Sequence, residues 1–313
     1  MDVLLGGHSP TLWLAFVVGV TACLVLDMVL LHRKPHAPSL REALLESAGW
    51  IGLAVLFNVF VYFQMGTKLA VEFLTGYLVE KSLSVDNLFV ILLVFRSLRI
   101  DDAHRHRVLF WGVFGAVVMR AVLIVAGAAL VHEFGWLLYF FGLILVISGV
   151  KLLLDREEDV QTSRHWAVRL LRRFVPVSER FDRDRFLTVE NGRRVATPML
   201  VALVLVEATD LVFAVDSIPA VLAVTKDPFI AFTSNVLAVL GLRALYFVLA
   251  EAVGRLRYLK PGLAVVLWYI GVKMLIVDLY HIPSHYSLLV IVGILTTAGV
   301  SSWYVDRRRR DAV

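Results

Sequence analysis

The chain has 313 residues, a single cysteine and a net charge of +5, and 59% of it is hydrophobic. That apolar share exceeds what a soluble domain ordinarily carries, and the lone Cys23 excludes a disulfide framework or a cysteine-built metal site. The positive charge is not a nucleic-acid signature, because the lysines and arginines fall mainly in loops between apolar runs.

Nine apolar runs follow one another, near 11–31, 43–64, 72–95, 108–131, 134–154, 198–222, 229–250, 262–280 and 286–304. Each is long enough to cross a hydrocarbon core of about 30 Å at roughly 1.5 Å per residue. The expected fold is all-α: one polytopic membrane domain over 1–313 with about nine transmembrane helices. The opening M-D-V-L-L-G-G-H has no basic segment, so the first run is expected to remain as a helix. Basic residues gather after runs 1, 3, 5 and 7 and in Arg307–Arg310, whereas the opposite loops hold only Lys68 and Lys226. The positive-inside rule then predicts an outside N-terminus and a cytoplasmic C-terminus.

The third run contains E-K-S-L-S-V-D-N (Glu80–Asn87), and the sixth contains E-A-T-D-L-V-F-A-V-D-S-I-P (Glu207–Pro219). An ionised side chain at the centre of a membrane helix costs roughly 2.5–3.5 kcal/mol on insertion scales. Glu80, Asp86, Glu207, Asp210 and Asp216 therefore need pairing, protonation or a wet cavity, and an oxygen-rich cage of this kind suits a cation. Helical spacing puts Glu80, Ser84 and Asn87 on one stripe, and Glu207, Asp210 and Ser217 on another, with Asp86 and Asp216 to one side. Pro219 removes a helical hydrogen bond beside Asp216, so a broken helix lining a cavity is expected there.

The two motifs belong to a longer match. Setting Asp86-Asn87 on Asp216-Ser217 also places Glu80 on Asp210. One run later V-M-R-A-V-L-I around Arg120 meets G-L-R-A-L-Y-F around Arg243, and one further on Lys151 meets Lys273 in G-V-K. The first repeat covers about 72–155 and the second about 198–280, joined by a cytoplasmic loop at about 155–197. By the charge rule the matched runs 3–5 and 6–8 cross in opposite senses, which predicts an inverted repeat with a midplane site between its halves.

The donor set restricts the ion. All nine histidines lie in loops or at run ends, and carboxylate, carbonyl and water oxygens favour Mn²⁺, Mg²⁺ or Ca²⁺ over the softer metals. Candidate ligands are Glu80, Asp86, Asn87, Glu207, Asp210 and Asp216, supported by Ser84, Ser217 and Asn235. Arg120, Arg243 and Lys273, with Lys81 and Lys151, supply cations that neutralise the acids or latch the helices. Asp27 and Asn58 read as structural. No prosthetic group is expected, only a transported ion, and carboxylates crowded in one cavity predict exchange against protons. In the loop, Ser163–Phe174 is basic and amphipathic, suited to the anionic inner leaflet, and Asn191-Gly192 predicts a tight hairpin.

The stretch E-K-S-L-S-V-D-N, and still more the run from Glu207 through A-V-D-S-I-P-A-V-L-A-V-T-K-D-P-F-I to L-G-L-R-A-L-Y-F, resembles the TerC/Alx family of bacterial integral membrane proteins. The likeness extends over roughly 40–280, and T-P-M-L ahead of the sixth run fits it too. The resemblance implies a multi-pass protein of the bacterial inner membrane, linked to tellurium resistance, with Mn²⁺ export among family members. A carboxylate cage would repel the tellurite oxyanion, so a tellurium effect is expected to be indirect. The alternative from another class is a membrane scaffold or assembly factor without transport, in which the acids act as interhelical glue. No H-E-x-x-H or G-x-G-D pattern points to an enzyme.

Overall fold

The computed structural model describes residues 7–26, 39–154, 166–178, 182, 185–190, 192–252, 258–280 and 282–310. Eleven helices and one hairpin are assigned among them: α1 (Pro10–Leu26), α2 (Leu40–Met65), α3 (Thr67–Ser97), α4 (Asp102–Glu133), α5 (Leu137–Leu154), α6 (Trp166–Phe174), β1 (Leu187–Glu190), β2 (Arg193–Ala196), α7 (Pro198–Val224), α8 (Pro228–Leu240), α9 (Leu242–Ala252), α10 (Leu259–Leu275) and α11 (Ser284–Arg310). Asp27 and Asn191 lie outside the described residues.

Local signals set the boundaries. Ser39 and Glu42 close a capping box at the start of α2, each side chain bonded to the other's backbone N–H. Asp227 caps α8 by accepting from the N–H groups of Phe229 and Ile230, and Pro198 and Pro228 occupy first turns, where no N–H is needed. In the hairpin Glu190 pairs with Arg193, so two residues form the turn, and Gly192 takes φ +77°.

Five helices, α2, α4, α5, α7 and α11, are long and apolar enough to cross a membrane, and a sixth span results if α8 and α9 count as one bent pair. α1 and α10 are shorter, and α3 carries several charged side chains. Bilayer-like exposure is clear: Phe63, Val122, Ile147 and Leu289 are large apolar side chains on open surface.

α3, α4, α7 and α8 form the centre, with α7 packed on both α3 and α4, and α8 on the same two. α8 is buried along its whole length. α5 and α10 make the most extensive helix pair, because glycines let their backbones touch. A Cβ on Gly142 would lie 3.0 Å from the Gly271 carbonyl oxygen, and one on Gly149 would lie 2.8 Å from that of Ala264.

One expectation needs correction. α7 continues through Pro219 to Val224, so the proline does not break it. One missing hydrogen bond is tolerated where neighbouring helices hold the segment. The break falls at Gly241 instead, where α8 and α9 meet at 42°. Lys81 of α3 reaches that break, its Nζ donating to the Ala238 carbonyl at 3.1 Å. The ammonium thus satisfies an oxygen left by the interrupted helix. The amphipathic α6 buries Ala167 and Val168 among the protein's own side chains, against α7, and exposes Arg169, Arg172 and Arg173.

Three contacts gather one set of helix ends on a common face. His8 bonds Asp227 at 2.8 Å, Thr225 bonds Glu72 at 2.7 Å, and Tyr139 bonds Asp278. At another end Arg107 lies over the Phe186 ring at 5.5 Å, joining the start of α4 to the hairpin segment.

Candidate ion site

Helix α4 places Arg120 between α3 and α7, where it is 1% exposed. Its Nε and Nη2 donate to the two oxygens of Asp210 at 3.1 and 2.7 Å, a bidentate pair, and its Nη1 donates to Oε1 of Glu80. Nη1 also reaches Ser217 Oγ at 3.4 Å and Asn235 Oδ1 at 3.3 Å. The carboxylates have further donors: Asn235 Nδ2 to Glu80 Oε2 at 2.8 Å, Ser84 Oγ to Glu80 Oε1 at 3.2 Å, and Asn87 Nδ2 to Asp210 Oδ1 at 3.0 Å. All seven side chains are buried.

This grouping follows from helical spacing. Glu80, Ser84 and Asn87 share the inward stripe of α3, and Asp210 and Ser217 share that of α7. Two carboxylates and one guanidinium leave a formal charge of −1 in a site without water-exposed walls. A bidentate arginine is the partner best able to hold two acids under these conditions. One oxygen is not used: Asn87 Oδ1 is buried and has no partner among the described residues.

The other predicted residues lie elsewhere. Asp216 turns toward α5 and accepts from Ser148 Oγ at 2.6 Å. Glu207 is half-buried against Gly115 of α4. Arg243 pairs with Glu46 of α2 at 2.5 Å, remote in role from its sequence counterpart Arg120. Lys273 donates to Ser287 of α11 at 2.9 Å. The Asp86 side chain lies outside what the structure describes. Among the described residues no three His, Cys, Asp or Glu side chains converge as a metal cluster. The structure thus assembles two of the acids around an arginine and leaves Glu207 and Asp216 outside the hydrogen bonds of that network, with Glu207 still in electrostatic reach of Asp210.

Glu46, Glu72 and Ser148 were not anticipated. Glu72 was legible, since it stands eight residues before Glu80 on the same stripe. Glu46 and Ser148 lie on helices without a motif, and only the packing reveals them.

Comparison with known proteins agrees with these observations. The profile of the integral membrane protein TerC family matches residues 65–310. A Myxococcus xanthus membrane protein, STKORF319, is 50% identical over 299 residues, covering 96% of this chain and 94% of that one. A Salmonella typhi protein described as a membrane-bound redox modulator, Alx, is 44% identical over 310 residues, covering 96% of each chain. A Rickettsia bellii membrane protein is 39% identical over 283 residues, covering 90% of this chain and 94% of that one. No solved structure matches. The motifs in α3 and α7, the multi-pass architecture and these full-length likenesses lead to one statement: the chain belongs to the TerC family of integral membrane proteins.

Proposed function

We propose that this chain is a secondary transporter, not an enzyme, that exports divalent metal ions from the bacterial cytoplasm, Mn²⁺ foremost. One observation carries the reading: Glu80 and Asp210, matched positions of the two motifs, share a single guanidinium at a buried helix interface. Arg120 acts as a tethered cation holding the site closed. When it swings aside, a divalent ion takes its place, and two carboxylates balance its charge. Asn87 Oδ1, Asn235 Oδ1 and Ser217 Oγ complete an oxygen shell of the kind Mn²⁺, Mg²⁺ and Ca²⁺ accept.

In this reading the nine runs cross the inner membrane with the N-terminus outside, and the halves form an inverted repeat. The packing supports it. α3 packs on α8 as α7 packs on α4. With Gly149 matched to Gly271, Gly142 falls on Ala264, and the close approaches are crosswise, Gly142 to Gly271 and Gly149 to Ala264. A two-fold axis produces this pattern.

Arg120 already pairs with both central carboxylates, so proton exchange falls to Glu207 and Asp216, which it does not contact among the described residues. A chain with one cysteine cannot cycle an internal disulfide. A redox effect like that in the description of the Alx relatives would act here through the ion moved, and tellurium resistance likewise. The assembly-factor alternative has one observation in its favour: the Arg120 network is nearly saturated with hydrogen bonds, as interhelical glue would be.

Proteoliposomes separate the two. The wild-type protein moves Mn²⁺ down an imposed gradient, with Mg²⁺ and Ca²⁺ tested as competitors, and Glu80→Gln and Asp210→Asn each abolish flux while eluting as folded protein. A wild-type protein that moves none of the three ions refutes the transporter.

A further inference from the structure

A second buried acid lies outside the central network. Glu72, in the first turns of α3, is 6% exposed, and its Oε2 accepts from Thr225 Oγ1 at 2.7 Å. Thr225 is held in turn by the Asp227 N–H at 3.1 Å. Lys273 stands within electrostatic reach of Glu72, tethered to the buried Ser287, which also accepts from Tyr269. A buried ionisable group is costly to keep without a partner, so its pairing calls for an account.

Glu72, Gly76 and Glu80 follow one another at helical spacing on a single buried stripe of α3, so Glu72 lies about 12 Å along the axis from the central pair. α8 faces that stripe with Asn235 on Glu80 and Ser234 on Gly76. A Cβ on Gly76 would lie 2.9 Å from Ser234 Oγ, so the two helices close tightly between the two acids. The stripe therefore reads as acid, constriction, acid. Under the match of Glu80 to Asp210, Glu72 falls on Ala202, so the other half has no such group.

We propose that Glu72, with Thr225, is a second cation station on the exit side of the path, separated from the central site by a gate at Gly76 and Ser234. The inference rests on the transporter reading and adds to it the residue that receives the ion after it leaves Glu80 and Asp210. Lys273 repeats there the part of Arg120, a tethered cation that keeps the station from holding the ion too long. An ion path needs each stop to be attractive enough for the ion to arrive and weak enough for it to leave.

The test measures Mn²⁺ binding to purified protein and Mn²⁺ flux in proteoliposomes for wild type, Glu72→Gln, Glu72→Asp, Thr225→Val and Gly76→Val. The tight binding at Glu80 and Asp210 is expected to stay at the wild-type level throughout, because the station holds the ion only weakly. Flux should fall about tenfold in Glu72→Gln and Gly76→Val, recover in part in Glu72→Asp, and fall less in Thr225→Val. Flux within twofold of wild type in Glu72→Gln overturns the station while leaving the central site standing. Loss of the tight central binding together with flux also overturns it, because Glu72 then supports the central site structurally. Should Glu72→Gln not fold, Thr225→Val decides by the same two measurements. A wild-type protein that moves none of Mn²⁺, Mg²⁺ and Ca²⁺ removes the transporter reading, and this one with it.

Discussion

Arg120 holds a full charge in a place water does not reach, and Glu80 and Asp210 make that tolerable. Removing one member of a buried ion pair leaves the other charge uncompensated, at about 3–5 kcal/mol. Arg120→Gln should therefore lower Tm strongly, and Mn²⁺ should restore it more than it stabilises wild type, because binding to the folded state alone adds stability. Thermal unfolding in detergent with and without Mn²⁺ measures this, and a variant indifferent to the ion argues that Glu80 and Asp210 are not ligands. Asp216 behaves differently. Asparagine there still accepts the Ser148 hydrogen bond, so Asp216→Asn should keep stability within roughly 1 kcal/mol. In proteoliposomes with a trapped pH dye its Mn²⁺ flux should lose the response to ΔpH that wild type shows. An unchanged response takes the proton from Asp216.

Two contacts between helices decide how the elements hold together. Lys81 replaces the missing donor at the α8–α9 break, a charged hydrogen bond worth about 1.5–3 kcal/mol. Lys81→Met keeps the stem and removes the ammonium, so a loss of that size is expected in denaturant or thermal unfolding. If stability holds, the Ala238 carbonyl has another partner. At the α5–α10 seam there is no room for a side chain on Gly271, whose Cβ would lie 2.7 Å from the Gly142 carbonyl oxygen. Gly271→Val should force the helices apart and cost about 1–3 kcal/mol or more as an overpacked contact, read as a lower Tm. By contrast Gly293 meets nothing within 4 Å, so Gly293→Ala should be nearly neutral and serves as the control.

At the scale of the molecule, the contacts His8–Asp227, Thr225–Glu72 and Tyr139–Asp278 define one face, and the flanking basic residues are sparse there. The proposed orientation puts that face outside and the hairpin segment in the cytoplasm. On a Cys23→Ala background, a cysteine at position 135 should react with an impermeant reagent added to intact cells. One at position 175 should react only after the membrane is opened. The reverse labelling would invert the protein and make the same path one of uptake.

The membrane class, the helical character and the two acidic motifs were legible in the sequence, because apolar run length and the cost of buried charge act locally along one chain. The same reasoning placed Glu80, Ser84 and Asn87 on one stripe, where the structure has them, and Glu207, Asp210 and Ser217 on another, of which the structure buries Asp210 and Ser217 and leaves Glu207 half-buried. Register across helices was not legible. Arg120 and Arg243 match in sequence, yet one meets Glu80 and Asp210 while the other meets Glu46 on α2, a helix outside the matched halves. Likewise Asp216 stands six residues from Asp210 but turns to Ser148 on α5. Pro219 signalled a break that packing absorbed, and Gly241 made one that composition did not announce. A sequence determines which faces of each helix are polar. Which polar face meets which is set by how the whole set of helices closes, and that depends on contacts between residues far apart in the chain.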